Sequence, residues 1–255
     1  MSGGAGGGGN VLGGLAATWL QGGWTARRLL RGRMLWVAAF FALGPIAFTV
    51  LIVQSGHTAR WEELFAPLAL LCGLVPPLFT ASTMAEEIED RTYTYLWSRP
   101  LPRWTVLIGK LVATVPVAAV LLSLTALICY QLGQRGISPD HPWPSAAAGR
   151  AVGAVALAAL ALSMVAGGLA VMMPRHGLGV AYAYLLVLDL PLGLMPFSIA
   201  NLSMSHHIQT LGGVRGTDPN ASIGAAVLWL VGIGLFWLIL GLWRISKSEF
   251  ASGEK

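Results

Sequence analysis

The stretch AEEIEDRTYTYLWSRPLPRWTVLIGK, Ala85 to Lys110, is the densest run of charge in the chain, and it is wedged between two segments apolar enough to sit in lipid. Glu86, Glu87, Glu89, Asp90, Arg91, Arg99, Arg103 and Lys110 could not rest unpaired in hydrocarbon, where one such charge costs roughly 2.5 to 3.5 kcal/mol even on insertion scales. The run therefore lies at a membrane surface or faces a protein. Its carboxylates follow Ser82 and Thr83, residue types that begin helices, and the positive end of a helix dipole favours negative charge. Pro100 and Pro102 stop that helix, and Arg103 leads into the next apolar run. The reading is a short cytoplasmic helix with a hard stop, suited to being gripped by a partner.

The rest of the composition agrees with a membrane setting. Of 255 residues, 55% are hydrophobic and only 11% charged, against about 25% charged in soluble domains. Mean hydropathy is +0.68. The net charge of +5 could suggest nucleic acid, but the basic residues flank apolar runs instead of forming an aromatic-interleaved patch, so they read as orientation signals and no nucleic-acid partner is expected. Cys72 and Cys129 each fall inside an apolar run, where a lone thiol behaves as a small hydrophobe, and neither a disulfide nor a metal is expected of them.

Six apolar runs, at about 34–54, 64–84, 104–131, 147–173, 178–200 and 222–243, are each near the ~20 residues that cross a bilayer. The expected fold is all-α and integral to the membrane. Residues 1–10 read as a disordered glycine-rich tail, 11–33 as an interfacial amphipathic helix, 34–243 as the six-span domain and 244–255 as a tail. In the second of these, Leu12, Leu15, Ala16 and Trp19 share one face and Thr18, Gln21, Thr25 and Arg28 the opposite one. An extension of the first span is the alternative. A secretory leader is disfavoured, because the apolar run after the Arg cluster is too long and lacks a small-residue cleavage site. With the N-terminus cytoplasmic, twelve of the sixteen Lys and Arg residues fall inside, leaving Arg60, Arg135, Arg150 and Arg215 outside. The positive-inside rule selects that orientation, with both termini and the 85–103 stretch cytoplasmic.

The spans are expected to pack as a bundle. Pro45, Pro67, Pro76, Pro77, Pro116, Pro191 and Pro196 interrupt them, and the carbonyls such breaks free need neighbouring helices, hydroxyls or water. Gly149, Gly153, Ala154, Ala158, Gly167 and Gly168 give the fourth span small surfaces for close approach. Around the fifth span, DLPLGLMPFSIANLSMSHHIQTLGGVRGTDPNAS begins in the membrane at Asp189 and turns polar slowly through Pro and Gly breaks, which reads as a re-entrant piece at the outer face.

Chemistry is sparse. The one Gly-Lys pair, Gly109-Lys110, has Trp104 where a phosphate-binding loop needs Gly and Leu111 where it needs Ser or Thr. Adjacent His206 and His207 would point about 100° apart on a helix, a poor arrangement for one metal ion. Asp189 is the one acid in the middle of a span, so it is a substrate-pathway candidate; equally, it could cap the break that Pro191 makes. A secondary transporter would want more paired mid-membrane charges and an internal repeat, and an intramembrane enzyme a second catalytic group near Asp189. A membrane scaffold is a further alternative.

The run Glu86, Glu87, Leu96, Ser98-Arg99-Pro100, Arg103 and Gly109-Lys110 resembles the first cytoplasmic loop of ABC-2-type permeases, the membrane subunits of ATP-binding-cassette exporters. The interfacial helix, six spans and broken segment before the last span resemble the same class. Many members have Gly-Thr ahead of the leucines, where this chain has Arg91-Thr92 and then Tyr93-Thr94-Tyr95. The resemblance implies a second permease copy, most simply as a homodimer, in a bacterial-type inner membrane. It also implies two separate ATPase subunits, which would hold ATP and magnesium, so that this chain needs no cofactor of its own. On that reading Glu86, Glu87, Glu89 and Asp90 contact the ATPase, while Arg91, Arg99, Pro100 and Arg103 shape the loop.

Overall fold

The computed structural model describes residues 7–56, 60–89, 104–135, 145–193, 195, 198–214 and 222–247, and among these there is no strand. Six stretches are long and apolar enough to cross a bilayer: Arg33–Gln54, Trp61–Met84, Trp104–Gln134, Ala146–Met172, Pro174–Gly193 and Ile223–Lys247. The chain is an all-α, multi-pass membrane protein. We number its elements α1 (Gly7–Arg31), α2 (Arg33–Gln54), α3 (Trp61–Glu89), α4 (Trp104–Gln134), α5 (Ser145–Met172), α6 (Pro174–Gly193), α7 (Met204–Gly212) and α8 (Ile223–Lys247). Helix α1 begins inside the stretch read from sequence as a tail.

Two of the spans form the middle of the bundle. The membrane windows of α3 and α5 are each 72% buried, while those of α2, α6 and α8 are 22% buried. Helix α5 touches α3, α4, α6, α7 and α8. Its side chains explain why it can. Ala151, Ala154, Ala158, Ala159, Ala161, Ala166 and Ala170 are all buried, so neighbouring backbones come close and gain dispersion contacts that lipid tails cannot match.

The closest approach is between α5 and α8. A Cβ on Gly168 would collide with the Trp237 carbonyl oxygen, one on Gly241 would lie 3.0 Å from the Gly168 Cα, and one on Gly234 3.3 Å from the Ala161 Cα. The seven-residue steps 161–168 and 234–241 keep these contacts on one stripe of each helix. Only part of the small surface expected from sequence is used this way. Gly149 and Gly153 have open space beside them, so they face away from the rest of the chain.

Hydroxyls donate to carbonyls close to the helix prolines. Thr49 donates back to the Pro45 carbonyl at 2.8 Å within α2. Tyr182 of α6 donates at 3.1 Å to the Leu74 carbonyl, beside the Pro76-Pro77 pair where α3 lacks two N–H donors. Thr80 and Thr114, both fully buried, join α3 to α4 at 3.1 Å and pin their register.

Two sequence expectations are corrected. The fifth span, read as 178–200, runs from Pro174 to Gly193, because after Gly193 the chain turns and folds back as a short 3₁₀ segment, Ser198–Leu202, and then α7. No new helix starts after Ser82 and Thr83. Both hydroxyls bond back to carbonyls of their own helix, Ser82 to Leu78 and Thr83 to Phe79, and α3 continues without interruption to Glu89. In α1 the polar face meets protein. Thr18, Gly22 and Leu29 are buried toward the bundle while Trp19, Leu20 and Trp24 stand outward.

Replacing Gly168 with Val is expected to cost at least the roughly 1–3 kcal/mol of an overpacked core, read as a lower melting midpoint in detergent. Gly153→Val, at an open site, is expected to leave the midpoint of the single chain unchanged.

Candidate functional site

The bundle has two ends with different chemistry. At the proximal end α3 finishes, α4 begins and α1 docks. At 1.5 Å per residue, the 29 residues of α3 reach about 44 Å, against a hydrocarbon core of about 30 Å. Its final turns, carrying Glu86, Glu87 and Glu89, therefore extend past the membrane span that ends at Met84. The acids sit at the C-terminal end of a long helix, where the dipole does not favour them, and not at the start of a short one. That placement corrects the capping argument while leaving the acids at the start of the same connection between the second and third spans. Asp90, Arg91, Arg99, Pro100 and Arg103 lie outside the described residues, as does the hard stop at Pro100.

Lys110 is the residue that sequence reasoning underused. Its side chain is only 3% exposed, and its ammonium donates to the Thr83 carbonyl of α3. The two arms that carry the 85–103 stretch are thus tied together at their base. Below that tie sit the Thr80–Thr114 bond and Leu107, whose methyl group would touch a Cβ on Gly167 of α5. Helix α1 adds a third wall. A Cβ on Gly22 would lie 3.3 Å from the Gly109 carbonyl oxygen, and one on Gly109 would lie 3.2 Å from both Gln21 and the Thr18 carbonyl. Gly109 is therefore needed for α1 to rest on α4. A Gly-Lys pair at a span start carried a legible signal, a small residue followed by a cation too costly to bury without a partner.

At the distal end α3, α5 and α8 begin, and α7 is lodged among them. Trp61 Nε1 donates to the Gly212 carbonyl at 2.8 Å, and its ring meets those of Phe65 and Tyr130 at 5.7 and 5.8 Å. Asp189 holds the other end of α7. Its carboxylate accepts from the Met204 amide at 2.7 Å and from the Ser205 amide at 2.9 Å, two of the four N–H groups a helix start leaves without partners. Ser203, at the N-cap, accepts from the His206 amide at 3.3 Å and donates to the Asp189 carbonyl at 2.9 Å. Ser205 donates to the same carbonyl at 3.2 Å. The expected cap at the Pro191 break is thus corrected: Asp189 caps α7, because the positive end of that helix is the nearest set of unpaired donors. Gly193 permits this, since any Cβ there would strike the Ser205 and Ser203 hydroxyls.

His206 and His207 follow in the first turn of α7, both buried, with ring centroids 5.4 Å apart. His207 lies parallel to the Trp229 ring at 6.2 Å, and its Nε2 meets the Asn201 carbonyl at 2.8 Å. Burial pushes the His207 imidazole below its ordinary range; the Asn201 carbonyl and the Asp189 charge oppose that shift, and His206 adds to it. Ser203 as cap and Gly213 in the left-handed region (φ 75°) bracket α7, and that pair of end signals was readable in the sequence.

A multi-pass bundle with its charged loop beyond the end of the second span has the architecture of a permease subunit. The sequence matches the ABC-2 family transporter protein family over residues 42–249, and the chain belongs to that family. None of the curated proteins compared with the chain matches it.

Asp189→Ala leaves two buried amides without acceptors, and is expected to cost roughly 1–3 kcal/mol, with Asn intermediate. The loss should appear as a lower melting midpoint together with faster protease cleavage between residues 203 and 214.

Proposed function

We propose that the chain is the membrane subunit of an exporter driven by two separate ATPase subunits, and that residues 86–103 are where those subunits push. The supporting observation is that α3 is one continuous helix from Trp61 to Glu89. A load on the acids at its end is carried through the buried core of the bundle to the distal end, where Trp61 bonds to α7. Lys110, fastened to the Thr83 carbonyl, keeps α4 moving with α3.

In this reading Glu86, Glu87, Glu89 and Asp90 meet basic groups of the ATPase, with Arg91, Arg99, Pro100 and Arg103 setting the shape of the loop. ATP and magnesium belong to the ATPase. Two copies of the chain pair in a bacterial-type inner membrane with both termini cytoplasmic, supported by the excess of Lys and Arg at the proximal end. Asp189, whose carboxylate is taken up by α7, serves as a clamp and not as a lining of the substrate path.

Glu86→Lys combined with Glu87→Lys is expected to abolish transport and co-purification of the ATPase while membrane insertion persists. Normal transport by that variant would refute the proposal. Lys110→Met should separate the two arms, with the ATPase still bound and transport reduced several-fold, checked by co-purification and uptake assays on the same membranes.

A further inference from the structure

The histidine pair at the distal end takes no part in that coupling. His206 is 8% and His207 4% exposed. His207 Nε2 faces a carbonyl oxygen, so it must carry the ring proton and donate, which leaves Nδ1 as a bare lone pair. That Nδ1 has no hydrogen-bond partner, and neither does Nε2 of His206. One basic nitrogen, Nδ1 of His207, is therefore enclosed without a donor, beside an unpartnered ring nitrogen of His206, in the short helix that plugs this end of the bundle. No group of three His, Cys, Asp or Glu able to hold a metal ion occurs among the described residues.

The surroundings decide what a proton would do there. Among the described residues Asp189, on α6, is the anion facing the pair, and its two oxygens already accept from the Met204 and Ser205 amides. From α5 comes Arg150, near Gly213 at the far end of α7, and from α3 come Glu62 and Glu63, beside the Trp61 that bonds Gly212. From α8 the facing group is Trp229, which does not titrate, and the 3₁₀ segment Ser198–Leu202 contains no titratable side chain. A protonated imidazole in the first turn would oppose the helix dipole and compete with two main-chain amides for Asp189. It would also add a buried N–H without an acceptor.

We propose that His207, beside His206 in the first turn of α7, forms a proton-operated latch: neutral, it allows α7 to stay seated at the distal end, and protonated from that side it releases it. The sign follows from burial. The unfolded or released segment takes up a proton more readily than the seated one, so seating is at full strength above the ordinary imidazole pKa of about 6.5 and weakens as pH falls through that range. Burial of His207, which holds its imidazole below that value, acts in the same direction.

The test uses the full chain in detergent, with Cys72 and Cys129 replaced by Ala and a single reporter thiol at the buried Ile208 (Ile208→Cys). Its rate of modification by methyl methanethiosulfonate is divided, at each pH, by the rate for the same protein unfolded. Between about pH 7.5 and about pH 5.5 this ratio is expected to rise at least about fivefold, and to stay flat when His206→Gln and His207→Phe are added, Phe keeping a ring against Trp229. A flat ratio in the histidine-containing protein overturns the latch, whatever the variant does. So does a rise of the same size in the variant. Neither result bears on the ATPase contact, which is read by co-purification.

Discussion

A charge removed from water must be met by something, and in this bundle main-chain atoms meet it. Among the described residues the buried side chains with a full charge are Lys110 and Asp189, one near each end. The ammonium is met by a carbonyl in the last turns of α3, the carboxylate by the first amides of α7. Each therefore joins two elements that hydrophobic packing alone would hold only weakly inside lipid, where neighbouring side chains are no more attractive than acyl tails. The two helices that flank residues 90–103 depend on the first of these ties and the seating of α7 on the second.

Most of the fold could be read from the sequence because span length and apolar content are dictated by bilayer thickness. The first four spans and the last begin and end within a few residues of the expected positions. The fifth differs for a clear reason: Leu194, Met195 and Phe197 continue the apolar run past the true end at Gly193, so hydropathy cannot tell a folded-back turn from more span. Ser82 and Thr83 misled in another way. In water such residues cap helix starts, but within a membrane helix their hydroxyls are satisfied by the carbonyl one turn back, so they carry no boundary information.

The site was less legible than the fold. Asp189 could be singled out by its cost in lipid, but not its partner, since α7 comes from a segment that reads as a loop until Ser203 and Gly213 are taken together as its two caps. Helix α1 shows the same limit. Its periodicity gave the two faces correctly, yet the face with the small and polar residues turns to protein, because Gly22 and Gly109 let the backbones meet. Trp19 and Trp24 are left to the outside, where an amphipathic ring suits the headgroup layer.

The seat of Gly168 against the Trp237 carbonyl constrains how such a protein can work. Turning either helix by one residue, about 100°, would bring a side chain onto the other's main chain, so α5 and α8 cannot roll or slip past each other in small steps. They travel as one rigid body in any rearrangement of the bundle, and relative motion has to be taken up along some other seam.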